Sequence, residues 1–579
     1  MKLKIITISF ILSTAILLIS CGEEFLYRAP QGSIDQESLA NEQGIELLVT
    51  GAYACLTTPN WGAGPFNWIY GSIYGGDANK GSSPSDQPAI NDFETYNALP
   101  SNSYLTQKFS WVYRGVRHAN TTLQTIAMAK NTPEEFLKNK SGEAYFLRAY
   151  FYFEGIKVFG PYLPWLDETM EDPDPKVYND IDIYTKVLAD ADKAIQNLKD
   201  IQDSPGRTNS WAAKALKAKI LMQQGNFTAA KPILKDVIDN GHTAKGVKYG
   251  LEDDMNANWD SFRENGKEAI FSVQYSYERN NANFEMALAH PSGSGPGGCC
   301  GFFQPSNELA NSYKVDANGL PFLDNSYRNA PYVTERNPIG EPYISINNDM
   351  PVDPRIDFAI GRFGIPYKDW GIPEVSWARN IENGGFFMPK KHVFSKAEKD
   401  ANLAGDINED VGTGSSMNVQ ILNLRDIILL YAESLAYDGE LSEAMEMVNK
   451  IRERAGKKDN IIRLENGEPA ANYSISTYPT SHVAYSNKEE CIKAVRMERK
   501  LELAMEGQRW FDLVRYGGDY MSAAISEYIN FEKTFINKFT MAANLPATNT
   551  IFPIPEGEIQ TIGVDENGKP YLEQNDPWR

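Results

Sequence analysis

Charged side chains recur at helical spacing between residues 498 and 515, on both sides of Gly507 and around Trp510 and Phe511. The charged residues lie three or four positions apart, so each group shares one helical face: Arg499, Glu502, Glu506, Arg509 and Asp512. Two such carboxylates could act as a catalytic pair, but nothing in the segment supplies a nucleophile or two different carboxylate environments. Because an isolated buried charge is costly, the pattern favours a structural ion-pair network between two helices.

Aromatic side chains in loops offer a second kind of chemistry, the binding of sugars. Rings are frequent among turn-forming residues in two regions, 58–103 and 298–303. The first region holds Trp61, Phe66, Trp68, Tyr70, Tyr74, Phe93 and Tyr96. A ring can stack on the apolar face of a pyranose, although packing beneath a loop is the alternative for any one of them. We predict a stacking platform with two hydrogen-bonding partners, made of Trp68, Tyr74, Asp77, Lys80, Tyr96 and Phe302.

Motifs of several enzyme classes are absent from the sequence. There is no HExxH, GxSxG or P-loop, and the five histidines are scattered. The glycines at 293–298 satisfy GxGxxG, but no strand is expected before them and Pro296 lies among them, so we do not expect nucleotide binding. No CxxC zinc pattern occurs, and we predict neither a metal site nor a cofactor. A glycoside hydrolase remains an alternative, because the two catalytic carboxylates of such enzymes have no fixed spacing in the sequence.

The amino-terminal residues predict export. Lys2 and Lys4 precede an apolar run that ends in Leu18-Ile19-Ser20-Cys21, which has the form of a lipobox. We assign residues 1–20 to a lipoprotein signal peptide, with Cys21 as the lipidated first residue, and residues 21–44 to a tether. A plain signal peptide and a transmembrane anchor are the alternatives, although the run is short for spanning a bilayer.

The charge of the chain argues against two classes of partner. The formal net charge is −20, and loss of Lys2 and Lys4 with the signal peptide changes it to −22. Such a balance disfavours nucleic acid and electrostatic docking on anionic lipid. We therefore expect the lipid on Cys21 to provide the membrane attachment.

Two copies of one pattern predict helix pairs that must position these groups. Ala218 lies seven residues before Gly225, and Ala432 lies seven residues before Gly439. Small residues let two antiparallel helices approach and the glycine turn joins them, as in tetratricopeptide-type repeats, with an ordinary helical hairpin as the alternative. The predicted helices span 180–199, 207–224, 226–240, 425–438 and 440–455.

Residues 242–424 interrupt this helical pattern with many Gly, Pro, Asn and Tyr residues. We predict a mainly α fold: a tetratricopeptide-like helical-repeat superhelix over 45–240 and 425–530, with an irregular, loop-rich lobe mainly at 242–424. The lobe contains the adjacent cysteines Cys299 and Cys300. Because the chain is exported, we favour a disulfide between them over two free thiols.

The segment 498–515 resembles the carboxy-terminal signature of the SusD/RagB family, outer-membrane lipoproteins that bind nutrients. It matches ER-x-x-E-L-x-x-E-G-x-R-W-x-D-L-x-R at every letter, and AYFLRAYFYF followed by FGPYLP at 144–164 is also similar to the family. With the ending at 551–578, the resemblance runs from Cys21 to Arg579 and implies one SusD-like domain over 45–579.

The resemblance implies a function without catalysis. The protein would sit in the outer membrane on its lipid anchor, facing the cell exterior, and would deliver oligosaccharide to a SusC-like TonB-dependent transporter. Its ligand site would draw on loops from the amino-terminal part and from the later irregular lobe. A lipid-anchored extracellular glycoside hydrolase and a peptide-binding member of the same family are the alternatives.

Overall fold

A computed structural model describes residues 36–58, 60–170, 175–277, 281–336, 344–406 and 414–579. Cys21, the predicted signal peptide and most of the predicted tether lie outside the described residues. The α helices are α1 (Glu42–Ala54), α2 (Ala89–Glu94), α3 (Ser103–Met128), α4 (Glu134–Phe159), α5 (Tyr184–Asn197), α6 (Ser210–Gln223), α7 (Phe227–Asn240), α8 (Asn307–Ser312), α9 (Ile356–Ala359), α10 (Ile381–Gly384), α11 (Lys396–Asp400), α12 (Leu424–Asp438), α13 (Leu441–Ala455), α14 (Lys488–Glu502), α15 (Arg509–Arg515), α16 (Gly518–Glu532) and α17 (Glu556–Ile562).

Strands are short and pair in antiparallel twos. They are β1 (Ala78–Gly81), β2 (Ala269–Val273), β3 (Phe302–Pro305), β4 (Thr334–Arg336), β5 (Ile344–Ile346), β6 (Ile360–Gly361), β7 (Met388–Pro389), β8 (Ala404–Gly405), β9 (Gly414–Ser415) and β10 (Val419–Asn423). The pairs are β1–β3, β2–β10, β4–β5, β6–β7 and β8–β9. The predicted mainly α fold is therefore confirmed.

The predicted helix pairs form where the small residues allow close packing. Ala218 in α6 and Ala432 in α12 are fully buried, and Gly225 and Gly439 take φ of 81° and 86°, a conformation that suits glycine at a helix end. From α3 to α7, and then through α12, α13 and α14, each helix packs against the next one. The irregular lobe thus separates α7 from α12 along the chain, but the two helices still pack against each other.

The amino-terminal helix begins earlier than predicted. Asn41 caps α1 by accepting a hydrogen bond from the amide of Gly44, so that the helix starts at Glu42 rather than at residue 45. Residues 42–44, which we assigned to the predicted tether, thus belong to this helix. Among the described residues, no helix is both long and apolar enough to cross a membrane.

Backbone pairing joins the lobe to the amino-terminal segment and connects the two ends of the lobe to each other. Strand β3 pairs with β1, which places Phe302 opposite Gly81, and β2 pairs with β10 just before α12. Cys299 and Cys300, next to β3, are joined by a disulfide. This pairing brings the loop after β1 against the glycine-rich loop at 291–301.

The segment with the charged stripe lies directly against an amino-terminal π-helical turn, Trp68–Ile73. A Cβ on Gly71 would lie 1.8 Å from the carbonyl oxygen of Gly507, and a Cβ on Gly507 would lie 1.8 Å from the carbonyl oxygen of Phe66. The two backbones can approach this closely only because both positions are glycine.

Candidate functional site

The four rings that we predicted as a stacking platform lie in the core. Trp68 and Phe302 have no exposed surface, and Tyr74 and Tyr96 are 3% and 6% exposed. They contact one another there: the ring centroids of Trp68 and Phe302 are 6.5 Å apart, and those of Tyr74 and Tyr96 are 4.8 Å apart. A ring whose faces are covered by protein cannot stack on a sugar. The platform prediction is therefore corrected, since these rings pack the lobe against the amino-terminal segment.

Lys80 also points inward. Its ammonium group donates hydrogen bonds to the carbonyl oxygens of Ser83, Pro84 and Asp86 at 3.0, 3.4 and 2.6 Å, and burial lowers the pKa of Lys80 to about 8. The side chain thus supports the loop after β1 from beneath and has no donor left for a ligand hydroxyl in this arrangement. The other predicted polar partner, Asp77, is 2% exposed and faces a separate cavity that is treated below.

The two loop regions chosen from the sequence nevertheless meet at the surface, at a residue that we did not select. The Arg379 guanidinium donates to the hydroxyl of Ser82 and the carboxylate of Asp86 at 3.0 and 3.1 Å. It also donates to the carbonyl oxygen of Cys300 at 3.0 Å. The side chains of Arg379 and Asp86 are 37% and 32% exposed. We call this surface, formed by residues 82–88, 292–301 and 374–380, the Arg379 junction.

Three non-glycine residues at the Arg379 junction have a positive φ. Ser82, Gln87 and Arg379 have φ values of 51°, 46° and 34°, in a region that side chains with a Cβ rarely adopt. Such conformations cost free energy and persist only where the surroundings hold them, which is why they cluster at functional sites. The strain is an independent reason to regard this surface as a binding site.

The junction combines apolar and polar groups. Cys299 is half-buried beside the buried Cys300, so the disulfide forms part of the surface. At its edge the indole nitrogen of Trp377 donates to the hydroxyl of Ser294 at 3.0 Å, and that hydroxyl donates to Glu374 at 2.9 Å. Hydroxyl, carboxylate and guanidinium groups thus surround an apolar patch, the mixture that sugar recognition needs.

One aromatic pair stays partly exposed. Trp61, in the amino-terminal loop, stacks on Phe284 of the lobe with ring centroids 5.7 Å apart and planes 26° from parallel. Below them Glu285 accepts a hydrogen bond from the amide of Phe66 at 3.2 Å, and burial raises the pKa of Glu285 to about 7. The turn-rich setting of Trp61 was visible in the sequence, whereas Phe284 carried no signal of its own.

The charged stripe makes the ion pairs expected of a network, with one exception. Arg499 donates to Asp512 at 2.9 and 2.8 Å and to Asp426 of α12 at 2.9 Å. Glu506 pairs with Lys391 of the lobe at 2.7 Å. These groups are all buried, and the network joins α14 and α15 to both the repeat scaffold and the lobe.

Glu502 completes this network through two arginines that the sequence did not single out. It pairs with Arg454 of α13 and with Arg355 of the lobe at 3.1 Å. Burial by itself would raise the pKa of Glu502, but the charges of Arg454 and Arg355 outweigh it and lower the pKa to about 2. Partners so distant in sequence cannot be read from the spacing within one segment.

Arg509 is the exception. Within the part of the chain that the structure describes, it makes no ion pair and no hydrogen bond, so its assignment to the network is wrong. Helix α15 begins at Arg509 after an irregular stretch from Leu503 to Gln508. Because of this irregular stretch, Arg509 does not lie on the helical face that the spacing predicted. It lines a cavity together with Asp77.

Comparison with known proteins bears on the whole chain. A family model described as the SusD family matches residues 267–578, and one described as starch-binding associating with outer membrane matches residues 38–222. A SusD-like protein of Bacteroides ovatus is 23% identical over 608 aligned residues, which cover 99% of this chain and 91% of that protein.

Solved structures share the fold. A SusD superfamily protein from Bacteroides vulgatus aligns with a TM-score of 0.67 at 18% identity, covering 93% of this chain and 100% of that one. Surface glycan-binding protein A from Bacteroides thetaiotaomicron, solved in complex with laminarihexaose, aligns with a TM-score of 0.63 at 18% identity, covering 92% and 99%.

Proposed function

The chain belongs to the SusD family, and we propose on that premise that it binds an oligosaccharide at the cell surface and passes it to a SusC-like TonB-dependent transporter. The description of the matching amino-terminal family model, starch-binding associating with outer membrane, supports this proposal. So does the similarity to a protein solved with laminarihexaose. The proposal includes a lipid anchor on Cys21 that holds the protein on the outer face of the outer membrane.

The oligosaccharide would bind at the Arg379 junction. The observation that carries this assignment is the exposed Arg379 guanidinium, which bridges the amino-terminal loop and the lobe loop on strained backbone. A planar guanidinium and the Asp86 carboxylate can hydrogen-bond neighbouring sugar hydroxyls. The half-buried disulfide of Cys299 and Cys300 offers an apolar surface to the C–H face of the ring.

The assignment is tested by calorimetric titration with a panel of soluble glucans and other oligosaccharides, followed by variants with the glycan that binds. Arg379→Ala and Asp86→Asn should each weaken binding about tenfold, since a hydrogen bond that involves a charged group contributes about 1.5–3 kcal/mol. Arg263→Ala is the matched control, because Arg263 is 42% exposed and also pairs with an aspartate, Asp260, at 2.6 Å. It should leave the affinity unchanged.

Two other outcomes would contradict the assignment. If Trp61→Ala abolishes binding while Arg379→Ala does not, the glycan stacks on the Trp61–Phe284 pair instead. If neither variant changes the affinity, the site lies on another surface.

We propose that capture is not followed by hydrolysis. Incubation of the protein with the glycan that it binds should release no reducing ends. A rate of release that rises with protein concentration would favour the alternative of a lipid-anchored hydrolase. Delivery to a transporter is tested separately, by co-purification of a TonB-dependent transporter with the protein from detergent-solubilised outer membrane.

A further inference from the structure

A cavity of about 250 Å³ lies between α14, α16 and the turn at 323–328, with Asp77 and Arg509 among its lining residues. None of its lining residues belongs to the Arg379 junction. Its volume lies just below the range of roughly 300–1,000 Å³ that is usual for ligand sites, and suits a single sugar residue better than an oligosaccharide.

The lining is positively charged although the chain as a whole is strongly acidic. Five cations face four carboxylates in the cavity, in a protein whose net charge is −20. The cations are Arg328, Lys493, Arg496, Lys500 and Arg509, and the carboxylates are Asp77, Glu308, Asp324 and Glu527. The surplus of positive charge is local and invites a negatively charged ligand.

Three of the five cations already have carboxylate partners. Arg328 pairs with Glu308 and Glu527, both at 2.7 Å. Lys500 pairs with Glu308 at 3.0 Å, and Lys493 pairs with Glu490 at 2.8 Å. These groups have their charge compensated within the protein. They shape the cavity but have little left to offer to an anion.

The other two cations have no carboxylate partner in the described part of the chain. Arg496 lies over the rings of Tyr516 and Tyr520, with its guanidinium carbon 4.2 and 4.3 Å from their centroids. It donates one hydrogen bond, to the hydroxyl of Tyr437 at 2.8 Å, and its Nε is buried without a partner. Among the described residues, Arg509 makes neither an ion pair nor a hydrogen bond, and the charged group closest to it in effect is Asp77. A half-buried guanidinium without a counterion is costly, and a bound anion would offset that cost.

Asp77 does not compensate them fully. Burial raises the pKa of Asp77 to about 7, although the nearby charges of Arg509 and Lys500 act in the opposite direction, so the carboxyl is partly protonated at neutral pH. Its Oδ1 is buried and has no hydrogen-bond partner. Among the described residues, the cavity thus contains an acceptor without a donor and two guanidinium groups without a carboxylate partner.

Apolar surface accompanies these charges. Leu323, Leu513 and Ala524 line the cavity, and Tyr520, which also lines it, is 39% exposed. A ring at the edge of a charged cavity can pack against the C–H face of a sugar. The combination favours a small molecule with one strongly negative group and one apolar face.

We propose that this cavity binds a monosaccharide-sized oxyanion, with Arg509 and Arg496 donating hydrogen bonds to its carboxylate or sulfate group and Tyr520 packing against its ring. Guanidinium groups present paired N–H donors that match the geometry of both oxyanions. The site is separate from the Arg379 junction, so that it goes beyond the proposed capture of an oligosaccharide. Binding at one site can be lost while binding at the other is kept.

The experiment is a calorimetric titration of the full-length protein in detergent with glucuronate, inorganic sulfate and glucose. Glucuronate should bind, sulfate should compete with it, and glucose should not bind at the same concentrations. Arg509→Gln and Arg496→Gln should each weaken glucuronate binding about tenfold or more. Lys457→Gln is the matched control outside the cavity: Lys457 is 48% exposed and pairs with Asp253, and its replacement should change the affinity by less than about threefold.

Several results would overturn the proposal. Failure of glucuronate to bind at millimolar concentration contradicts it, and so does glucuronate binding that survives both arginine substitutions. Binding of sulfate without glucuronate would indicate an adventitious ion only. Circular dichroism would first establish that each variant is folded. If Arg509→Gln is not, Arg496→Gln and Tyr520→Ala decide, since both change groups at the cavity surface.

Discussion

Replacement of Glu502 by glutamine should lower the free energy of unfolding by about 3 kcal/mol. Glu502 is 3% exposed and lies between Arg355 and Arg454. Its pKa of about 2 lies well below the ordinary value of 4.5, and at about 1.4 kcal/mol per pH unit this difference is equivalent to about 3 kcal/mol. The same magnitude is expected when one partner of a buried ion pair is removed, about 3–5 kcal/mol, because the other charge is left uncompensated.

Arg454 would bear most of this loss. Without Glu502 its remaining carboxylate partner is Glu268 at 3.4 Å, and its Nε is already buried without a partner. Arg355 keeps Asp353 and Glu498, at 2.6 and 2.5 Å. The cost should therefore be smaller in a double variant that also replaces Arg454 by methionine, because no stranded charge remains.

The measurement is urea denaturation followed by circular dichroism, with Glu490→Gln as control. Glu490 pairs with Lys493 on the surface of the same helix, with side chains 28% and 49% exposed, and its replacement should change the free energy of unfolding by less than about 0.5 kcal/mol. Equal effects of the two substitutions would refute the reasoning, because they would mean that burial adds nothing to the Glu502 pairs.

The effect of Glu502→Gln should depend on pH with a defined sign. The folded-state pKa lies below the unfolded one, so ionised Glu502 stabilises the fold fully above about pH 4.5. That contribution decreases as the pH falls from there toward about 2. The difference between parent and variant should accordingly be constant near neutral pH and shrink in acid.

Three further predictions follow from other parts of the molecule. Arg509→Gln should change the free energy of unfolding by less than about 1 kcal/mol, because among the described residues Arg509 has no carboxylate partner that would be left uncompensated. Urea denaturation of this variant beside Glu502→Gln measures the difference, and an equal cost of the two substitutions would contradict the prediction. Gly71→Ala should prevent normal folding, since the new Cβ would lie 1.8 Å from the carbonyl oxygen of Gly507, and protease resistance equal to that of the parent would argue against it. Cys21→Ala should move the protein out of the outer-membrane fraction in cell fractionation, and retention there would mean that another anchor exists.

The helix pairs could be predicted because their signals are local. A small residue such as Ala218 and a turn glycine such as Gly225 are seven positions apart, and both act within one hairpin. The observed helices α6 and α7 lie within a few residues of the predicted limits. The sequence also indicated that the lobe is an insertion between α7 and α12. The packing of these two helices against each other follows from that.

Burial of the aromatic loop could not be predicted, because it depends on segments that arrive from far along the chain. Turn-forming neighbours made Trp68 and Tyr74 look available to a ligand. The lobe ring Phe303 packs 5.7 Å from Trp68, however, and Trp510 packs 4.6 Å from Tyr74. The two regions meet as expected, but their surface is formed by Ser82, Asp86 and Arg379 rather than by the rings.

The charged stripe also shows how far a prediction from sequence can reach. Spacing placed Arg499 and Glu502 on one face of α14, and both are paired inside the protein. The same argument failed for Arg509, because the irregular stretch after Leu503 gives α15 its own orientation. The spacing of residues within one helix predicts which of them share a face. It does not predict this for residues on either side of a break between two helices.

The contact between Gly71 and Gly507 also bears on the order in which the chain folds. The amide of Gly507 donates a hydrogen bond to the hydroxyl of Ser72, 435 positions earlier. The turn at Trp68–Ile73 must therefore wait for nearly the whole polypeptide before it is covered, which is a slow route to the native state. Until then its rings stay exposed as apolar surface, which favours aggregation. A chain that ends before Gly507 and Trp510 would leave this turn uncovered and open to a protease, whereas the full-length chain protects it.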